Sequence, residues 1–131
     1  MDVSRNGLIL YVRQYEACVQ FYRDLLELPI LFANDMLSCF DFFGTYLMVE
    51  QDDRPDYLSL SEDVPKHFSC LRMNVADVKA MADRLQAKGI AVDYQEHHWG
   101  KVAKFEDPDG HLIAFKDEEG FARQIMEYRS S

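Results

Sequence analysis

The residues able to do chemistry fall on alternate positions of four short segments. In Gly7–Arg13 one parity carries Tyr11 and Arg13; in Tyr46–Glu50 it carries Tyr46, Met48 and Glu50. In His67–Val75 the matching parity carries Cys70, Arg72 and Asn74, and in His111–Lys116 it carries Ala114 and Lys116. Strand side chains alternate between two faces, so each set shares a face. Together with Ile9 and Leu112, these residues mix apolar walls with a few polar groups, as a small-molecule pocket requires. Arg13, Arg72 and Lys116 suit a carboxylate-bearing or otherwise anionic ligand. Trp99 and Tyr94 offer flat rings on which a planar ligand stacks.

Catalytic chemistry has less support. Glu50 is a general base only where it is desolvated and unpaired; beside arginine or lysine it is a paired structural carboxylate. Cys70 is a nucleophile only where its pKa is lowered; a plain wall cysteine is the simpler reading. His67, His97, His98 and His111 make no ligand pair of suitable spacing on one face, and they read as surface or turn histidines. There is no Gly-rich phosphate loop, serine nucleophile elbow or His-Glu-x-x-His motif. The expected site therefore has no catalytic residue, no metal ion and no cofactor.

These strands need elements to hold them. Gly7 to Arg13 reads as a strand. Ala17, Cys18, Phe21, Tyr22, Leu25 and Leu26 recur at three- and four-residue steps, predicting a helix from Tyr15 to Leu28 that Pro29 stops. Strands follow at Pro29–Ala33, Met36–Phe43 and Tyr46–Glu50. A connection rich in Asp and Pro comes next, with a short turn of helix at Asp56–Leu60. The order then repeats: a strand over His67–Val75, a helix from its N-cap Asp77 to Lys88 with Gly89 as its stop, and strands over Ala91–Glu96, Lys101–Asp107 and His111–Lys116. Asp107-Pro108-Asp109-Gly110 makes the last hairpin turn, with Gly44 matching Gly110 in the first. Leu8, Leu10, Val12, Leu47, Val49, Leu71, Met73, Val75, Ile113 and Phe115 are assigned to the helix-covered face. A terminal helix spans Glu118–Arg129, and its Phe121, Ile125 and Tyr128 cover either a groove edge, a partner or the chain's own sheet.

The fold class is α+β: one βαβββ unit used twice, forming a curled mixed sheet around a groove. One domain of residues 1–131 is expected, with module one at about 6–51, a linker at about 52–66, module two at about 67–117 and the terminal helix at about 118–129. The chain has 131 residues and a formal net charge of -9, which argues against nucleic acid and anionic membranes as partners. Three irregularly spaced cysteines resemble neither a disulfide framework nor a zinc motif. No signal-peptide pattern or membrane-length apolar run is seen, and a reducing cytoplasm is the expected compartment.

Three segments carry a likeness to a known family. They are Leu10-Tyr11-Val12 with Phe21-Tyr22-Arg23-Asp24-Leu25-Leu26; Leu71 to Val78 with Leu85 to Ile90; and Asp107-Pro108-Asp109-Gly110-His111. The chain thereby resembles the vicinal oxygen chelate superfamily, which includes glyoxalase I, extradiol dioxygenases and bleomycin resistance proteins. Glu27 stands where the family usually has glycine. Metal-dependent members hold one divalent ion with four side chains. By this resemblance those positions fall on Gly7, Met48, Cys70 and Ala114, a set poor in donors. The resemblance is closest to metal-free members of the bleomycin-resistance kind. It implies a metal-independent protein that holds a small organic ligand in the sheet groove and forms a homodimer. Two other readings stay open: a glyoxalase-like lyase or isomerase with relocated metal ligands, and an interaction module with a vestigial groove.

Overall fold

A computed structural model describes residues 1–59 and 69–130. The chain forms two compact units, Met1–Pro65 and Lys66–Ser131. The expected linker residues 60–66 and the strand start at His67 lie outside the described residues.

In the first unit, β1 (Gly7–Val12) leads to α1 (Tyr15–Gln20), β2 (Ile30–Ala33), β3 (Leu37–Phe42) and β4 (Thr45–Gln51), then to one turn of α2 (Pro55–Leu58). The sheet order is β1-β4-β3-β2, with β1 parallel to β4 and the other pairs antiparallel. Alternation gathers Leu10, Val12, Phe40, Leu47 and Val49 with Cys18, Phe21 and Tyr22 of the helical segment, all buried. The Tyr22 and Phe40 rings meet at 6.2 Å. Leu8, assigned to this face, stays 43% exposed at the start of β1.

The helix predicted to reach Leu28 ends sooner. After Gln20 it widens into a π-helical turn at Phe21–Leu25. Leu26 N–H donates to the Phe21 carbonyl and Leu28 N–H to that of Tyr22, each at 3.0 Å. The widened turn keeps both Phe21 and Tyr22 in the core. Glu27 then takes a left-handed backbone, with φ at 58°. An L-residue is strained there and glycine is not, which accounts for the glycine of the related pattern.

In the second unit, β5 (Cys70–Val75) leads to α3 (Val78–Ala87), β6 (Asp93–His97), β7 (Gly100–Glu106), β8 (Leu112–Asp117) and α4 (Glu118–Ser130). The sheet order β5-β8-β7-β6, with β5 parallel to β8, repeats the first topology strand for strand. Val78, Ala82 and Leu85 of α3 are buried, as are Ala103, Phe105, Ile113 and Phe115 of the sheet. The α3 N-cap forms as the sequence predicts: Asp77 Oδ1 accepts from Ala80 N–H at 3.0 Å. At the other end Ile90 N–H returns to the Leu85 carbonyl and Gly89 takes φ 88°. This C-terminal cap uses the chain through Ile90, so β6 begins at Asp93 and not at Ala91.

The two hairpins reach similar ends differently. Phe43 and Gly44 both have positive φ (53° and 96°), as a two-residue turn between twisted strands demands. In the last hairpin Asp107 Oδ1 accepts from the N–H groups of Asp109 (2.8 Å) and His111 (2.9 Å), and Gly110 supplies φ 89°. His111 is no surface residue: it is buried, with Nδ1 2.9 Å from Asp107 Oδ2. Neither sheet closes on itself; each is an open, four-stranded mixed sheet.

Replacing Glu27 with glycine should relieve the left-handed strain and stabilise the protein by about 1 kcal/mol. Equilibrium urea unfolding of the two proteins measures this, the midpoint rising at unchanged slope.

Candidate functional site

Each sheet has one face turned from α1 or α3, and most candidate residues lie on these two faces; Arg13 and Trp99 lie beyond the strands, and Tyr94, in register with the buried Ala103, lies on the α3 side with its ring 5.3 Å from the Lys79 ammonium. On the first sheet, register rows run Gly7–Tyr46–Asp41, Ile9–Met48–Cys39 and Tyr11–Glu50–Leu37 across β1, β4 and β3. The Tyr46 ring lies against Gly7 so closely that an added Cβ would collide with it. Ile9 and Tyr11 remain exposed at 39% and 40%. Tyr11 lies under the Arg54 guanidinium, 4.9 Å from its ring centroid. That guanidinium is already engaged, with Nε and Nη2 each 2.9 Å from the buried Asp52 carboxylate. Arg13 lies past the end of β1. Asp52 N–H and Gln51 Nε2 donate to the Val12 carbonyl at 2.8 and 3.2 Å and close the strand one residue early. Strand parity therefore does not extend to Arg13.

On the second sheet the rows are Cys70–Leu112–Glu106, Arg72–Ala114–Lys104 and Asn74–Lys116–Val102. The C-terminal helix α4 packs on its own sheet at one end of this face. Its Glu118 accepts a hydrogen bond from Asn74 at 3.0 Å, and its Phe121 ring lies 5.6 Å from the Arg72 guanidinium. Lys116, expected among the ligand-facing cations, is instead 1% exposed. Its ammonium donates to Asp117 Oδ1 at 2.8 Å and to the Trp99 carbonyl at 3.3 Å. It also lies 5.1 Å from the centre of the Trp99 ring, whose plane stacks on His97 at 4.5 Å. Lys116 and Trp99 thus serve the internal structure of the unit. A buried ammonium has to be neutralised, and the adjacent carboxylate does this.

Electrostatics separate the remaining groups. Desolvation is the largest influence on the Cys70 thiol and pushes its pKa up; Lys104 and Arg72 pull it back only in part. This favours the wall cysteine over the nucleophile. Burial likewise raises the Cys39 thiol, against a smaller pull from Arg5. The Tyr94 hydroxyl donates to Glu96 at 2.7 Å, which pushes its pKa up to about 12. Burial works against the charged form of Asp117. Hydrogen bonds from Lys116 and from the Lys101 and Gly120 backbone amides outweigh that cost and hold its pKa well below the usual range.

Lys104 and Glu106 are functional candidates that the sequence reading missed, together with Glu118 on α4; Phe121 was among the α4 residues expected at a groove edge, a partner or the sheet. The signal for the first two was present in the alternation Val102, Lys104, Glu106 along β7. Gly7 and Ala114, two of the positions that the resemblance assigns to metal ligands, carry no donor atom, and Met48 offers only a soft thioether. The Tyr46 ring also fills the space above Gly7. The residues present do not fit a divalent-cation site of that kind. Among the described residues, no three His, Cys, Asp or Glu side chains gather to hold a metal ion, and no helix is long and apolar enough to cross a membrane.

The sequence profile of the Glyoxalase/Bleomycin resistance protein/Dioxygenase superfamily matches residues 5–115. The uncharacterised protein YraH of Bacillus subtilis (strain 168) is 28% identical over 115 residues, spanning 79% of this chain and 90% of that protein. Among solved structures, TnmS3, an antibiotic binding protein from Streptomyces sp. CB03234, is 25% identical with a TM-score of 0.68, covering 89% of this chain and 98% of its own. A lactoylglutathione lyase from Agrobacterium tumefaciens has the same TM-score of 0.68 at 19% identity, over 90% of this chain and 96% of its own. At that identity the likeness is one of fold.

Asp117 gives a pH-dependent signature. Its folded-state pKa is depressed, so its contribution is fully present above the ordinary carboxylate pKa of 3.8 and is lost as pH falls through the folded value. Asp117→Asn leaves the buried Lys116 without its counter-charge and should cost roughly 2–4 kcal/mol at neutral pH. Denaturant unfolding of both proteins at a series of pH values should show this gap shrinking as the solution becomes strongly acidic.

Proposed function

This chain belongs to the glyoxalase/bleomycin resistance protein/dioxygenase superfamily, and we propose that within it the protein is a metal-independent binder of a small organic molecule. The observation that carries this reading is the Tyr46 ring packed on Gly7. A ring in that place supplies van der Waals surface at a position where metal-dependent relatives supply a donor atom. On the helix-free face of the first sheet Ile9 and Tyr11 offer exposed apolar area, and on that of the second Arg72 offers a charged group. The likeness to an antibiotic binding protein at 25% identity supports binding over turnover. The lyase neighbour supports the shared fold and nothing finer.

The same reading makes the protein a cytoplasmic homodimer. The edge strand β2, with Ile30, Leu31 and Phe32 all exposed, supports pairing, because an uncovered apolar edge is a liability in a lone chain.

Native mass spectrometry of the purified protein, followed by titration with nickel and zinc, tests the proposal. The expected result is a dimer that takes up an organic ligand and shows no stoichiometric metal uptake. Tight binding of one divalent ion per chain, with turnover of a methylglyoxal–glutathione hemithioacetal, overturns it in favour of a lyase.

A further inference from the structure

We propose that Arg72 and Lys104 form a paired grip for the carboxylate, or a similar oxyanion, of a small organic ligand on the helix-free face of the second sheet. The inference rests on the ligand-binding reading and names the chemical group that the site takes. Arg72 on β5 and Lys104 on β7 are both register partners of Ala114 on β8, which lies between them. Partners in register point to the same face, and two strand spacings set their Cα atoms about 10 Å apart. Two long cationic side chains at that separation can converge on one carboxylate. Both residues are exposed, whereas the small Ala114 between them is buried and presents only a methyl group.

The two cations differ in what holds them. The Arg72 guanidinium lies on the Phe121 ring of α4, a contact that orients its plane and leaves its edge to donate. Lys104 supplies a mobile ammonium from the other side. The third cation of this face, Lys116, is spent on Asp117 and takes no part. Three carboxylates border the face, one of them Glu118 of α4, which is held by Asn74. Asp93, the partner of Lys104 on β6, accepts from Gln95 Nε2 at 2.9 Å, and Glu106 lies one row away opposite Leu112. In a chain with a formal net charge of -9, the two cations flank one small residue, and the carboxylates stand outside that pair. Cys70 lies one row from Arg72 and Lys104 on the same face of the sheet, so its sulfur is the nearby reporter of the pair.

Cys70 makes the grip measurable. Cys18 and Cys39 are buried and Cys70 is exposed, so alkylation of the native protein reads Cys70. Anionic iodoacetate and neutral iodoacetamide react by the same step. The thiolate sulfur attacks the methylene carbon, the S–C bond forms, and iodide leaves with the C–I electron pair, the thiol proton having gone to solvent. Any change in the thiol pKa alters both rates alike, so their ratio isolates recognition of the carboxylate. The expected iodoacetate-to-iodoacetamide ratio at Cys70 is roughly tenfold that of N-acetylcysteine under the same conditions. It should fall toward the free-thiol value in Arg72→Gln and in Lys104→Gln, and in wild type on adding benzoate but not benzamide. Unchanged circular dichroism, with the buried Cys18 and Cys39 still protected from iodoacetamide, reports that each variant is folded. A wild-type ratio equal to that of the free thiol, or one untouched by Lys104→Gln, overturns the grip and leaves a neutral ligand open to the broader reading. An elevated ratio in a protein that takes up no organic molecule overturns the broader reading alone.

Discussion

A buried ammonium must have a counter-charge, and in the second unit that need organises everything after β8. Lys116 is sealed beside the Trp99 ring, and Asp117, the last residue of β8, neutralises it. The same carboxylate accepts from Lys101 N–H on β7 at 2.6 Å and from Gly120 N–H in the first turn of α4 at 2.8 Å. One side chain thereby fixes a strand end, a neighbouring strand and the start of a helix. An added Cβ at Gly120 would crowd the Asp117 carboxylate, so the helix approaches closely only because that residue is glycine. The direction in which α4 leaves the sheet follows, and with it the meetings of Phe121 with Arg72 and of Glu118 with Asn74.

The first unit has the same strand order and solves its last strand differently. Past β4 the buried carboxylate is Asp52, which is held by Arg54 from two residues on and receives the Arg54 backbone N–H at 3.1 Å. Its own N–H is spent on Val12. The result is a local knot of charge with one short helical turn, and the long helix that shields one end of the second sheet has no counterpart among the described residues of the first. Two copies of one topology thus present unlike faces. One is aromatic and apolar around Ile9, Tyr11 and Tyr46; the other is rich in charge of both signs, with Arg72 and Lys104 among Asp93, Glu106 and Glu118.

What could be read from the chain divides by range. The Asp77 cap, the Gly89 stop, the Asp107–Gly110 turn and the alternation of Leu47 and Val49 are settled within a few residues, and all appear as expected. The π-helical turn at Phe21–Leu25 was not legible, because Phe21, Tyr22, Leu25 and Leu26 have the spacing of an ordinary helix. Parity put Lys116 on the correct face but could not show its burial, which depends on Trp99 arriving from another strand end. Of the apolar residues spaced along α4, Phe121 meets the sheet while Ile125 and Tyr128 stay 39% and 82% exposed, and the carboxylate of Asp117 decides where the helix starts. Lys104 was legible: Lys101–Asp107 reads as a strand, and its alternation puts Lys104 opposite to the buried Ala103 and Phe105.

The contact between Tyr46 and Gly7 also bears on how this sequence can change. A histidine or glutamine introduced at position 7 meets the ring at once, whereas shrinking Tyr46 alone uncovers a bare glycine. The two positions are therefore coupled: a side chain at position 7 finds room only where the Tyr46 ring turns aside, so the effect of a substitution at either depends on the residue at the other.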